Sequence, residues 1–412
     1  MKLKSKILVS MMVAGGMISP LAHATNGYFR IGVGDKYESM GGVGIALPQD
    51  SLAAGTNPAG MAMVGDRMDI GLTWFKPNRS ETTAGSASLP LNGTYDGNGK
   101  SNFFIPDFGY NKMIKPDMSL GVTVYGAGGM NTQYNNNPFA GSGPAGVNLS
   151  QLFIAPTWAM KVNPTNSIGA SLVMVYQMFS ATGLQAFAGG GYSSDPTHMT
   201  NMGTDTSTGV GVRLGWTGQV SDMVTLGATY QPKVSMSKFS KYAGLFADQG
   251  KFDIPANYGV GMAVKANDAT TVGFDVTRIQ YSGVPAVGDS PSLLFSGALF
   301  GSTGGPGFGW KDMTVFKLGA KYKLNPSLTL RAGFNHNTQQ IDGANAWINI
   351  LAPGVVQNHL TLGATWALAN QSELTVGYVH AFSQTVTGPN PIGGGTVSIK
   401  MHEDSIGVTY GW

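Results

Sequence analysis

Four charged residues stand where charge is expensive. Arg213 lies within Val210-Gly211-Val212-Arg213-Leu214-Gly215-Trp216, Lys317 within Val315-Phe316-Lys317-Leu318, Arg331 within Leu328-Thr329-Leu330-Arg331-Ala332, and Asp275 between Phe274 and Val276. Each falls on the face opposite its apolar neighbours, with Lys321 and Lys323 continuing the parity of Lys317. A carboxylate in a low-dielectric cavity needs a cation and hydrogen-bond donors. Arg213, Lys317 and Arg331 are therefore candidates to bind an anionic head group, with the apolar neighbours around a tail. The structural alternative is that they pair with Asp275, or with Asp35, Glu38 and Asp50 nearer the N-terminus. Catalytic chemistry has thinner support. His198, His336, His359, His380 and His402 are scattered, no Gly-x-Ser-x-Gly precedes a helix, and no His-Glu-x-x-His occurs. Triads can assemble across strands, but no catalytic residue, metal site or cofactor is expected.

The elements that must carry these charges read as strands. Met68, Ile70, Leu72 and Trp74 alternate with Asp69, Gly71, Thr73 and Phe75; Leu360, Leu362, Ala364 and Trp366 alternate with Thr361, Gly363 and Thr365. Period two gives each strand two faces of different character. Charged residues make up only 11% of the chain, against about 25% in an ordinary soluble domain. A soluble β-sandwich also alternates, but its outward face would be polar.

The first 24 residues predict a secretory signal peptide. Lys2, Lys4 and Lys6 precede the apolar run Ile7 to Ile18, then come Pro20 and Ala22-His23-Ala24, with cleavage after Ala24. The run is short of the about 20 residues of a membrane anchor. Removing it takes three of the 25 basic residues and none of the 22 acidic ones, leaving 22 against 22, a net charge of zero. No basic excess remains for nucleic acid. No later stretch is apolar for the about 18 residues of a spanning helix. A bilayer admits only helices or closed barrels, so an exported, weakly charged, alternating chain predicts a barrel. The absence of cysteine removes only disulfide and thiol chemistry.

Punctuation sets the strand number. Short turns fall at Lys115-Pro116-Asp117, Asn163-Pro164-Thr165-Asn166, Ser221-Asp222, Asn267-Asp268, Asn325-Pro326-Ser327 and Asn370-Gln371. Longer Gly/Ser/Asn-rich loops lie around 78–100, 128–148, 181–205, 237–250, 284–308, 339–354 and 386–395. Short periplasmic turns alternating with long outer loops mark outer-membrane barrels. The reading is all-β, a fourteen-stranded antiparallel transmembrane β-barrel over 66–412, with both ends on the periplasmic side. Ile406, Val408, Tyr410 and Trp412 form a terminal strand ending on an aromatic. Val397, Ile399 and Met401 have the opposite parity, which predicts a bulge near His402–Ser405. Trp74, Trp158, Trp216, Trp366, Tyr230, Tyr378 and Tyr410 lie on the apolar parity and could form aromatic girdles.

Residues 25–65 do not fit a strand pair. They are glycine-rich, include a possible short helix near Asp50–Ala54, and are too apolar (Phe29, Ile31, Val33, Ile45, Leu47, Leu52) for a solvated tail. The sheltered space nearest to them is the barrel lumen, so a hatch or plug there is expected. With Ser39-Met40-Gly41-Gly42-Val43-Gly44-Ile45-Ala46, then Asp50, then Asn57-Pro58-Ala59 just before the first strand, the chain resembles the FadL-type outer-membrane transporters of long-chain fatty acids, a family that includes carriers of aromatic hydrocarbons. The likeness covers the mature chain. It implies passive uptake of hydrophobic molecules by a monomer in the outer membrane, Asn57, Pro58 and Ala59 in the hatch, and lateral release at a kinked third strand. The glycines Gly126, Gly128 and Gly129, after Leu120-Gly121-Val122-Thr123-Val124-Tyr125, could make that kink or merely start a loop. The partners implied are a long-chain fatty acid or other hydrophobic small molecule, and outer-membrane lipid. Loop residues such as Met130, Tyr134, Phe139, Leu184, Phe187, Phe246, Leu293, Leu294, Phe295 and Phe300 could receive greasy ligands or pack over the barrel mouth. An aromatic-hydrocarbon channel and a general diffusion porin are the rival readings.

Overall fold

The computed structural model describes residues 26–412; the signal peptide expected over 1–24 lies outside the described residues. Fourteen strands form the wall: β1 (Arg67–Ala84), β2 (Phe103–Lys115), β3 (Met118–Asn131), β4 (Gly146–Asn163), β5 (Asn166–Thr182), β6 (Asp205–Gln219) and β7 (Val224–Gln231), then β8 (Asn257–Lys265), β9 (Thr270–Ile279), β10 (Met313–Asn325), β11 (Leu328–Asn337), β12 (Asn358–Ala367), β13 (Glu373–Pro389) and β14 (Thr396–Gly411). Each pairs antiparallel with the next, and β14 closes on β1 from Asp69↔Gly411 to Ala84↔Thr396. Closure leaves no sheet edge in lipid. The six turns fall where Pro, Asn and Asp place them. The first long loop is shorter than its composition indicates: β1 runs through Pro77 to Ala84, and a short strand, Gly93–Asp96, folds back onto its upper end. Among the described residues no helix is long and apolar enough to cross a membrane.

The outward face is apolar, as the alternation requires. Leu72, Val210 and Leu362 are 50%, 63% and 50% exposed, while Asp69, Arg213 and Thr361 on the other parity are buried. The bulge expected at His402–Ser405 is absent: β14 keeps one register against β1 along its whole length. The irregularity sits in β13, between Ala381 and Gln384. Val397, Ile399 and Met401 share the inward parity of Glu403 and Ser405 and are buried in the lumen. They are apolar because the upper lumen is apolar, not because the strand changes face.

The ladder between β2 and β3 is incomplete. It ends at Asp107↔Tyr125, whereas β1 and β2 stay paired up to Phe75↔Phe103. Phe103–Pro106 thus have no ladder partner on the β3 side. Opposite them, the β3–β4 register shifts between Gly126 and Gly128. Gly128 instead bridges to Phe29 of the N-terminal segment, and the Gly129 amide donates to the Tyr28 carbonyl at 3.0 Å. A Cβ on Gly128 would stand 1.9 Å from that carbonyl oxygen, so only glycine admits the contact. Above this gap the chains rejoin through Gly97 and Gly99 with Gln133, and the buried Arg79 guanidinium donates to the Lys100 and Asn131 carbonyls. The result is a bounded window in the wall.

Candidate functional site

Residues 26–65 run inside the barrel, and the wall holds them by one hydrogen bond after another. Thr361 on β12 accepts from the Gly41 amide (2.9 Å), and Asn335 on β11 donates to the Gly41 carbonyl (3.1 Å). Asp275 on β9 accepts from the Gly44 and Ile45 amides through one oxygen, at 2.8 and 3.0 Å. Asp69 on β1 takes the Ser51 amide and hydroxyl, Asn111 on β2 donates to the Met61 and Gly65 carbonyls, and Thr409 on β14 donates to Asp35. Glycines in the inward face make room for this backbone: a Cβ on Gly333 would stand 2.2 Å from the Gly41 nitrogen, and one on Gly215 would stand 1.9 Å from Asn57 Oδ1. Asn57-Pro58-Ala59 forms the start of a 3₁₀ turn, Pro58–Met63. Asn57 caps the Ala59 amide at 3.0 Å, and its own amide donates to the Ile45 and Trp216 carbonyls. The short helix expected near Asp50–Ala54 is a 3₁₀ turn at Ala53–Gly55, and a separate α-helical turn spans Asp35–Glu38.

Charge inside this segment is dense. Arg30 pairs with Glu38 at 2.9 Å and lies 3.6 Å from Asp107. Burial opposes the Arg30 charge, but Glu38 and Asp107 outweigh it and hold its pKa above the usual value. Burial, then the negative Asp107 and Glu38, push Asp35 well above the carboxylate range. Asp50 rises to about 6 through burial and the neighbouring Asp69.

Two cavities lie one above the other. The upper one, about 30 Å³, is lined by apolar groups from the outer loops and strand tops, among them Val147, Phe179, Leu184, Phe187, Phe246, Phe300, Phe308 and Leu351. Most of the apolar loop residues seen in the sequence pack here into a single buried cluster; of the Leu293–Phe295 run, Leu294 is buried, Leu293 partly buried, and Phe295 half exposed beside Trp347. The lower cavity, about 80 Å³, is lined by Phe29, Ile31, Val33, Tyr125 and Phe153 together with Arg30, Arg213 and Lys317. An aromatic layer separates the two. Phe246 meets Phe252 (5.1 Å between centroids), Phe252 meets Tyr28 (5.9 Å), and Tyr28 packs on Tyr281, Trp310 and Phe29.

Of the three cations singled out in the sequence, two share that lower cavity. Arg213 donates to the Ala54 and Gly55 carbonyls (3.0 and 2.5 Å), the Tyr125 hydroxyl (3.0 Å) and Gln231 (2.7 Å). Lys317 donates to the Ile31 and Gly42 carbonyls at 2.9 and 3.3 Å. Both therefore hold the N-terminal segment through neutral acceptors, and among the described residues neither has a carboxylate within ion-pair distance. Arg331 stands apart, in a polar cavity at the periplasmic end, bonded to Gln49 and Thr365. Sequence reasoning passed over Arg30, whose place beside Tyr28 and Phe29 in an apolar stretch was the available signal. Gly126, Gly128 and Gly129 lie at the inner edge of the β2–β3 window. Among the described residues no group of three His, Cys, Asp or Glu could hold a metal.

Relatives share this architecture. The family model described as outer membrane protein transport protein (OMPP1/FadL/TodX) matches residues 36–405. The toluene transporter TodX of P. putida is 18% identical, covering 92% of this chain and 98% of its own with a TM-score of 0.67. A Pseudomonas aeruginosa FadL homologue is 16% identical over 93% and 99%, at a TM-score of 0.68. The Ralstonia pickettii toluene transporter TbuX is 20% identical over 92% and 98%, at 0.62. No curated protein matches the chain. A closed fourteen-stranded barrel, an apolar cavity under the outer loops and a family match over most of the sequence place this chain in the OMPP1/FadL/TodX family, as an outer-membrane channel for hydrophobic compounds.

Proposed function

We propose that the chain takes up long-chain fatty acids passively, with the N-terminal segment as a hatch and the β2–β3 window as a lateral exit. The observation that carries this reading is the lower cavity. A guanidinium and an ammonium line it together, each hydrogen-bonded to neutral oxygens, with Asp275 across the ladder from Lys317 as the neighbouring acid, directly beneath an apolar chamber. A carboxylate offers such cations a stronger partner, since charge-assisted hydrogen bonds are worth about 1.5–3 kcal/mol against about 0.5–1.5 for neutral ones. A ligand with an apolar tail and an anionic head matches the linings of the two cavities in sequence, once the side chains move apart to admit it. The rival reading, an aromatic hydrocarbon, draws on the upper cavity, where Phe179, Phe187, Phe246, Phe300 and Phe308 converge without a charged group, and on the likeness to the toluene transporters TodX and TbuX.

The test is uptake of labelled oleate and labelled toluene by cells lacking their own fatty-acid transporter, with the barrel verified in the outer membrane. Oleate uptake should fall at least tenfold in Arg213→Ala/Lys317→Ala while toluene entry changes little. Equal losses for both ligands would reduce the two cations to hatch supports. Toluene uptake without oleate uptake by the unaltered chain would move the assignment to hydrocarbons.

A further inference from the structure

The periplasmic end of the lumen carries more positive charge than the acid beside it can match. Lys321 on β10 stands directly across the ladder from Arg331 on β11, and both line one cavity of about 250 Å³. Lys36 of the N-terminal segment lines it as well. Like charges placed opposite each other on neighbouring strands are destabilising. Among the described residues the one acid on the cavity wall is Glu373, already engaged by Lys36 at 2.5 Å and by Arg67 at 3.1 Å. Arg331 has only the Gln49 amide oxygen and the Thr365 hydroxyl as acceptors. Lys321 makes no hydrogen bond or ion pair among the described residues. Hydroxyls of Ser327, Thr329 and Thr365 complete a lining rich in donors.

From this arrangement we infer an oxyanion-binding site at the periplasmic mouth, with Lys321 and Arg331 as its main ligands and Lys36 at its inner edge. The ligand class is a phosphate or carboxylate group, which accepts several donors at once and suits the planar fork of arginine. An anion between Lys321 and Arg331 relieves their repulsion. Because Arg331 also holds Gln49, the bound anion fixes the lower edge of the N-terminal segment. The inference does not depend on the fatty-acid reading, because Arg213 and Lys317 line a different cavity.

The experiment is equilibrium dialysis of radiolabelled inorganic phosphate against the purified folded barrel in a maltoside detergent at low salt, followed by competition with acetate and octanoate. Saturable one-to-one binding is expected, weakened at least tenfold by Lys321→Met and by Arg331→Gln. Lys321→Arg should retain it, as should Lys323→Met, which removes a lysine outside the cavity. Octanoate competing at least tenfold better than acetate would identify the head group of an amphiphile as the natural ligand, and equal competition a small free oxyanion; both uphold the site. Absence of saturable phosphate binding, or binding untouched by both Lys321→Met and Arg331→Gln in barrels that remain heat-modifiable, would overturn it.

Discussion

Asp275 offers the sharpest test of how the wall holds the N-terminal segment. One of its oxygens accepts the Gly44 and Ile45 amides at 2.8 and 3.0 Å, in a side chain with no solvent exposure. Asp275→Asn keeps the shape and an acceptor oxygen but removes the charge. Two charge-assisted bonds of about 1.5–3 kcal/mol each become neutral bonds of about 0.5–1.5 kcal/mol each, a loss of about 2–3 kcal/mol. The new NH₂ adds to the cost, because the second oxygen of Asp275 has no hydrogen-bond partner and lies over Gly261. At about 1.4 kcal/mol per factor of ten, the unseated population should rise about 30- to 150-fold. The chain has no cysteine, so a single Ala46→Cys, buried beside Ile45, reports unseating cleanly through its rate of reaction with a water-soluble maleimide. Asp275→Asn should accelerate labelling by that factor, and Asp268→Asn, at an exposed turn, should not. A labelling rate within twofold of the parent would refute the view that this carboxylate clamps the segment.

Other perturbations probe separate links. Burial raises the Asp50 pKa from 3.8 to about 6, with Asp69 also opposing its charge and Lys36 and Arg67 favouring it. A raised folded pKa means that its stabilising contribution is complete below about pH 4 and lost as pH rises through about 6, at most about 3 kcal/mol. Asp50→Asn should therefore raise the urea midpoint at pH 7.5 and flatten its fall between pH 4.5 and 7.5; an unchanged slope would count against the shift. Gly128→Ala drives a methyl into the Tyr28 carbonyl, 1.9 Å away, and should cut uptake at least threefold with the barrel intact, whereas Gly189→Ala, with open space around it, should not. Deleting 26–65 should increase the permeability of cells to large antibiotics, and unchanged permeability would remove the hatch role from the segment.

Strand number, turn positions and lipid-facing parity were legible because each rests on a local rule: period two, Pro and Asn at turns, and the exclusion of charge from lipid. The sites were less legible because they depend on which strands face each other across the lumen. Arg213 and Lys317, 104 positions apart, share a cavity because the Ala54–Gly55 turn held by β6 packs against Val33, near the Ile31 carbonyl held by β10, while Arg331 lies on the strand next to Lys317 yet opens into a different cavity. Parity places a side chain inside but gives neither its height nor its partners. The glycines of the inward face were visible in the sequence, but their purpose depends on a second backbone pressed against them.

The failed bulge carries the most information about function. Along β14 the inward face reads Val397, Ile399 and Met401, then Glu403, Ser405, Gly407 and Thr409; along β10 it reads Met313 and Val315, then Lys317, Gly319 and Lys321. Both strands change from apolar to polar without changing face, so the boundary belongs to the lumen. Val315 and Lys317 both line the lower cavity, which places that boundary inside it. On the fatty-acid proposal this sets the direction of binding. A carboxylate left in the upper chamber would meet no donor among its apolar lining and would be desolvated without compensation. Moved down to Lys317 and Arg213, it gains charged donors while the chain stays in the apolar zone above. The head therefore leads, and release at the β2–β3 window requires the tail to swing past Tyr28 and Phe29, the residues that the glycines of β3 hold in place.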